Sequence, residues 1–257
     1  MYFCAQNQPP MDIRSFLDST YLKTALQAEL SESQNQVVVE TFIQEAIQEN
    51  FKLIMIRPEM VAVAKQMISP SDSNVQIGTV IDFPEGQSSI DKKLEEANQA
   101  ILNGADELDF VCNYEAFKKG KVDLVKEEIL RGTQLALDNN KIIKWIIEVA
   151  ALTDKQIIQL SALIKNTIMT HFKEDDYAAV FVKSSTGFYK TKNNEPNGAT
   201  IPSVIMMLEN ASPLPVKAAG GVRNYEDALA MIKLGVKRIG TSSAKAIVNG
   251  ANNPNDY

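Results

Sequence analysis

Two lysines stand at positions where a basic amine could do chemistry. Lys183 ends the apolar run Ala178–Val182 and is followed at once by Ser184, Ser185, Thr186 and Gly187. Lys217 ends a second short apolar segment, and Gly220 and Gly221 come close behind it. Such runs read as strands buried on both faces, and the small polar residues after them as loop. Burying an ammonium is costly, so a lysine there lowers its pKa or acquires a use. Taken alone, either lysine could simply reach for solvent at a strand end. The pair says more. The two lie about 34 residues apart, the length of one βαβ unit. Neighbouring strands of a parallel barrel would bring both side chains to the same end of the sheet. Two adjacent ammonium groups depress each other's pKa, which is one way to obtain a neutral, nucleophilic amine near pH 7.

A third candidate is Asp109, inside the strand-like stretch Glu107–Val111. Its neighbours Leu108 and Phe110 are large and apolar and claim a helix-covered outer face. Alternation then turns Asp109 inward, where it must be paired or hydrogen-bonded. The other reading leaves Asp109 on a solvated outer face.

The elements that must position these residues follow from periodicity. Strand-like segments at Lys52–Ile56, Val75–Ile81, Glu107–Val111, Ile142–Val149, Ala178–Val182, Leu214–Ala218 and Val236–Gly240 alternate with helical ones. Ile13–Thr20 reads either as a helix or as the end of a first strand. Among the predicted helices are Gln34–Glu49, Ser89–Asn103 with Leu94, Ala97 and Ile101 on one face, Tyr225–Leu234, and a last one from about Ser242 to Val248. Strands alternating with helices predict an α/β fold with a parallel sheet, and eight strands in 257 residues suit a single-domain (β/α)8 TIM barrel. Residues 1–10 read as a loose arm, 11–248 as the barrel, and the Asn-rich 249–257 as a mobile tail.

These stretches together resemble the deoxyribose-phosphate aldolases, a class I, Schiff-base aldolase family. The likeness is carried by V-K-S-S-T-G-F at Val182–Phe188 and P-V-K-A-A-G-G-V-R at Pro215–Arg223. It extends through Phe16–Thr20, Ile81–Gly86, Gly104–Asp109, Lys144–Glu148 and Arg238–Ser243, in the family's order. The resemblance implies that Lys183 forms an imine with the aldehyde of 2-deoxyribose 5-phosphate and releases glyceraldehyde 3-phosphate and acetaldehyde, reversibly. It implies that Lys217 holds the pKa of Lys183 down, that Asp109 moves protons with an ordered water, and that Asp18 hydrogen-bonds Lys217. Tyr257, the last residue, would reach the site for proton transfer at carbon 2, as in members that also end in tyrosine. A chain end with no role is the alternative. Gly187, Gly220, Gly221, Gly240, Ser242, Ser243 and Arg223 follow three predicted strands and are candidates to hold the substrate phosphate. No metal or organic cofactor is expected, since lysine supplies the electron sink. Two positions depart from the pattern: Met55 stands where some members carry cysteine, and Phe188 where some carry lysine.

Composition narrows the classes. A net charge of −6 and a pI near 5.0 disfavour a nucleic-acid binder. Cys4 and Cys112 make no disulfide framework, and with nine methionines they suit a reducing cytoplasm. The first ten residues lack the basic and apolar regions of a signal peptide, and no apolar run is long enough to span a membrane. The lone His171 reads as a solvated helix end. The partners expected are small aldehydes and sugar phosphates, together with further copies of the chain, most simply as a homodimer. Alternatives are another Schiff-base lyase, a catalytically silent sugar-phosphate binder, and a barrel isomerase.

Overall fold

Eight parallel strands close on one another in chain order: β1 (Leu17–Thr20), β2 (Leu53–Ile56), β3 (Gln76–Ile81), β4 (Glu107–Val111), β5 (Ile142–Ile146), β6 (Val180–Lys183), β7 (Val216–Ala219) and β8 (Arg238–Thr241), with β8 pairing back to β1. This barrel is seen in a computed structural model that describes residues 11–192 and 195–250. The arm 1–10 and the last seven residues, Tyr257 among them, lie outside the described residues. Ten helices accompany the strands among the described residues: α1 (Ala25–Ala28), α2 (Glu32–Glu49), α3 (Val61–Ile68), α4 (Ile90–Leu102), α5 (Tyr114–Lys118), α6 (Val122–Asp138), α7 (Asp154–His171), α8 (Ile201–Ala211), α9 (Tyr225–Leu234) and α10 (Ala244–Val248). The fold is the expected TIM barrel. Ile13–Thr20 resolves into a short 3-10 turn and a strand. His171 closes α7 and is exposed, as expected.

Alternation along the strands sorts the residues into two populations. Leu17, Ile54, Ile77, Leu108, Phe110, Ile143, Trp145, Val182, Val216 and Ile239 point outward into one large apolar core beneath the helices. Phe110 and Trp145 meet there with ring centroids 5.1 Å apart. Gly132 of α6 makes room for that indole: a Cβ on it would lie 2.7 Å from the ring. The residues between them face the lumen.

Beyond the start of β6, where Ala178 and Ala179 close a 3-10 turn (Glu174–Ala179) with Ala178 exposed instead of opening the strand, two local readings change. The α4 face is turned so that Lys93, Ala97 and Ala100 are buried, leaving Leu94 and Ile101 half-buried. Lys93 is fully buried because its ammonium is satisfied: it donates to the carbonyls of Gly86 (2.9 Å) and Val111 (2.7 Å) and pairs with Glu128 and Asp82. It thereby ties the loop after β3 to the end of β4. The second change is at β5, which stops at Ile146 rather than Val149. Glu148 takes a left-handed conformation (φ 56°, ψ 71°), which no strand can continue through, and a 3-10 turn follows at Val149–Ala151.

Candidate active site

The lumen holds a connected set of charges contributed by six of the strands. Lys183 and Lys217 are direct partners in the β6–β7 register. Both Nζ atoms donate to the same oxygen of Asp109, Oδ2, at 2.8 and 2.9 Å. The other oxygen, Oδ1, accepts from Lys144 Nζ at 2.6 Å. Asp109 is therefore inward, wholly buried and fully engaged. Asp18 Oδ2 meets Lys217 at 2.5 Å, an ion pair without hydrogen-bond alignment, and Oδ1 accepts from Arg238 Nε at 2.7 Å. Glu107 takes a fork from Arg238 at 3.0 and 3.1 Å and pairs with Lys144 at 2.6 Å. Gly240, opposite Asp18 in the register, leaves space for a lysine stem: a Cβ there would lie 3.1 Å from Lys217 Cε.

Charge counting fixes the electrostatics. Three carboxylates (Asp18, Glu107, Asp109) face four cations (Lys144, Lys183, Lys217, Arg238). The set balances when one cation gives up its proton. Lys183 is the one driven that way. Burial, assisted by the charges of Lys217 and Lys144 and opposed by Asp109, lowers its pKa to about 8. Desolvation is thus the larger cause, and the neighbouring lysine adds to it. Burial would raise the Asp109 carboxyl, but Lys144, Lys183 and Lys217 hold it well below the usual range. Burial likewise opposes ionisation of Asp18, and Arg238, Lys217 and Lys144 prevail. Lys144 is buried too, yet Asp109, Glu107 and Asp18 raise its pKa. It stays charged.

Lys183 opens onto a small cavity at the carboxyl ends of the strands, lined also by Thr20, Leu22, Thr186, Gly187, Ala219, Gly220, Gly240, Thr241 and Ser242. The anticipated phosphate residues Gly187, Gly220, Gly240 and Ser242 are brought together with Lys183. Gly187 and Gly220 have φ of 81° and 75°, which few other residues adopt. Gly221 and Arg223 are exposed on the loop beside this cavity, and Ser243 is buried next to it. The last helix begins at Ala244, two residues later than expected. Met55 is buried in an interior apolar cluster with Leu22, Leu53 and Val80, against which Phe83 and Phe188 pack.

Sequence reasoning assigned no role to Lys144, Glu107, Arg238, Glu148 or Thr186. Glu148 Oε2 accepts from the backbone N–H of Thr186 at 3.1 Å and from its hydroxyl in a short contact. Burial pushes the Glu148 carboxyl up to about 7, against the hydrogen bonds of Thr186 and the charge of Lys183. Lys144 had a usable signal, a cation between Ile143 and Trp145, the same alternation that exposed Asp109.

The geometry agrees with what comparison finds. Residues 22–251 match the family described as DeoC/LacD family aldolase. The deoxyribose-phosphate aldolase of Thermococcus gammatolerans is 38% identical over 244 residues, 95% of this chain and 98% of that protein. That of Streptococcus suis is 38% identical over 248 residues, 96% of this chain and 100% of that protein. Among solved structures, a tetrameric deoxyribose phosphate aldolase from Aeropyrum pernix superposes with a TM-score of 0.74 at 27% identity, covering 93% of this chain and 90% of that one.

Proposed function

The chain belongs to the DeoC/LacD aldolase family, and from that premise we propose that it cleaves 2-deoxyribose 5-phosphate reversibly to glyceraldehyde 3-phosphate and acetaldehyde, through an imine on Lys183. The observation that carries this reading is the pair of buried lysines on one oxygen of Asp109, with Lys183 the one that opens onto the cavity.

The lowered pKa of Lys183 leaves a working fraction of neutral amine near neutrality. That amine adds to carbon 1, and loss of water gives a protonated imine. The bond that breaks joins carbons 2 and 3, since acetaldehyde takes carbons 1 and 2. Its electrons flow into the imine and leave an enamine on Lys183. The hydroxyl proton of carbon 3 departs as its carbonyl forms, and Asp109 acting with a water is the acceptor we assign. Protonation of the enamine at carbon 2, the role proposed for Tyr257, and hydrolysis of the imine then return free Lys183. Lys217 serves by its charge, and Asp18 holds Lys217. Gly187 and Gly221 offer backbone N–H groups to the phosphate, with Gly220, Ser242, Ser243, Gly240 and Arg223 around them. In this scheme the cation supplied by lysine at Phe188 in some relatives is replaced by neutral donors and Arg223. A role in deoxyribonucleotide breakdown in the cytoplasm follows from the substrate. Self-association is inferred from the tetrameric relative, a dimer being the simplest form.

Borohydride reduction in the presence of acetaldehyde, followed by peptide mass mapping, tests the assignment. An ethyl group on Lys183 is expected. Labelling of another lysine, or none, refutes it.

A further inference from the structure

Five carboxylates are buried among the described residues: Asp18, Glu107, Asp109, Glu128 and Glu148. Four sit in ion pairs. Glu148 does not, although it is 1% exposed at the mouth of the barrel. What it has is Thr186. Its strained left-handed backbone directs the side chain beneath the loop that follows Lys183. Oε2 there takes both the N–H and the hydroxyl of Thr186, while Oε1 is buried without a partner. Thr186 Oγ1 in turn accepts the N–H of Phe188 at 3.0 Å. Thr186 also lines the cavity onto which Lys183 opens.

The direction of these bonds has a chemical consequence. An ionised carboxylate only accepts, so the Thr186 hydroxyl proton is committed to Glu148. Phe188 uses one lone pair of Oγ1. The remaining capacity of that oxygen is as an acceptor, and only a donor can use it.

We infer that Glu148 is a positioning and specificity-determining residue, which fixes Thr186 as a hydrogen-bond acceptor for a hydroxyl of the sugar phosphate. The inference rests on the aldolase reading above. It predicts that Glu148 matters for a hydroxylated substrate and much less for acetaldehyde, which has no hydroxyl to offer. A residue that only supports the fold would affect both alike.

The test compares two activities of the whole chain, above the pH of about 7 at which the Glu148 carboxyl ionises. One is cleavage of 2-deoxyribose 5-phosphate, and the other is exchange of acetaldehyde methyl protons with deuterated solvent. Glu148→Leu, which removes the acceptor, and Thr186→Val are each expected to lower kcat/KM for cleavage by about 10- to 100-fold, the range for losing one oriented polar contact to a hydroxyl, and to slow exchange less than about threefold. Glu148→Asp keeps the charge but retracts it from Thr186, and should show the same split. Thr186→Ser keeps hydroxyl and N–H, and should restore most of the cleavage. The double variant Glu148→Leu/Thr186→Val should be no worse than Thr186→Val alone, because both changes remove one interaction. Equal losses in the two assays, or additive losses in the double variant, overturn the inference while leaving the aldolase reading intact. An unmodified chain that does not cleave the sugar phosphate overturns both.

Discussion

Lys217→Leu separates the contributions to the lowered pKa of Lys183, the amine proposed to form the imine. Lys183 and Lys217 touch one oxygen at 2.8 and 2.9 Å, so their nitrogens can be no farther apart than those two contacts laid end to end, and an effective dielectric near 20 gives a repulsion of at least about 3 kcal/mol. That is worth about two pKa units on Lys183. The charge count points the same way. Without Lys217, three carboxylates face Lys144, Arg238 and Lys183, and the set balances with Lys183 protonated. From about 8, the Lys183 pKa should climb toward about 10, with burial still holding it below an exposed lysine. The neutral fraction at pH 7 then drops from about a tenth to about a thousandth, and kcat/KM for cleavage by about 100-fold. Initial rates across the pH range are the assay. The acid limb of kcat/KM should move upward by about two units, and the variant should recover much of its rate in alkali. A limb that stays in place, with a rate lost equally at every pH, would refute the electrostatic reasoning and leave Lys217 as a packing element.

Two further expectations concern the periphery of the site. Ser242→Glu puts a negative charge beside the cavity that Gly187 and Gly220 line, and should raise KM for the phosphorylated sugar far more than it slows acetaldehyde self-condensation; equal losses would place the phosphate elsewhere. Deleting Tyr257 should leave imine trapping on Lys183 intact while slowing turnover and acetaldehyde proton exchange by about 100-fold, the contribution of one acid–base group. Exchange at the full-length rate would assign that proton to Asp109 and water.

How much of this was legible beforehand depended on which physical signal each residue left. Asp109 was readable because Leu108 and Phe110 declared the outward face. Lys183 and Lys217 were readable because each broke an apolar run just before a loop. Lys144 left the same kind of trace as Asp109. Glu107 and Arg238 did not: they begin their strands, where a charge ordinarily meets water, and only the register Lys217↔Arg238 and the fork to Glu107 reveal them as lumenal. Lys93 defeated a periodicity argument, because an apolar-face count cannot anticipate a buried ammonium that finds two carbonyls and two carboxylates. Glu148 was hidden for a different reason. Its significance lies in a positive φ and in a contact with Thr186 across 38 positions, neither of which composition or spacing encodes.

The link between Asp18 and Arg238 joins residues 220 positions apart, from the first strand to the last. The lumenal charge set is therefore complete only when the last strand is in place. Until β8 arrives, Asp18 and Glu107 lack their guanidinium, and a strand slipped by one residue would present its charge to the apolar shell instead. Sealing the barrel and completing the charge set around Lys183 thus depend on the same contacts, those of the greatest sequence separation. A chain ending short of β8 would carry both lysines and still lack Arg238, the fourth cation whose presence leaves one proton too many in the set.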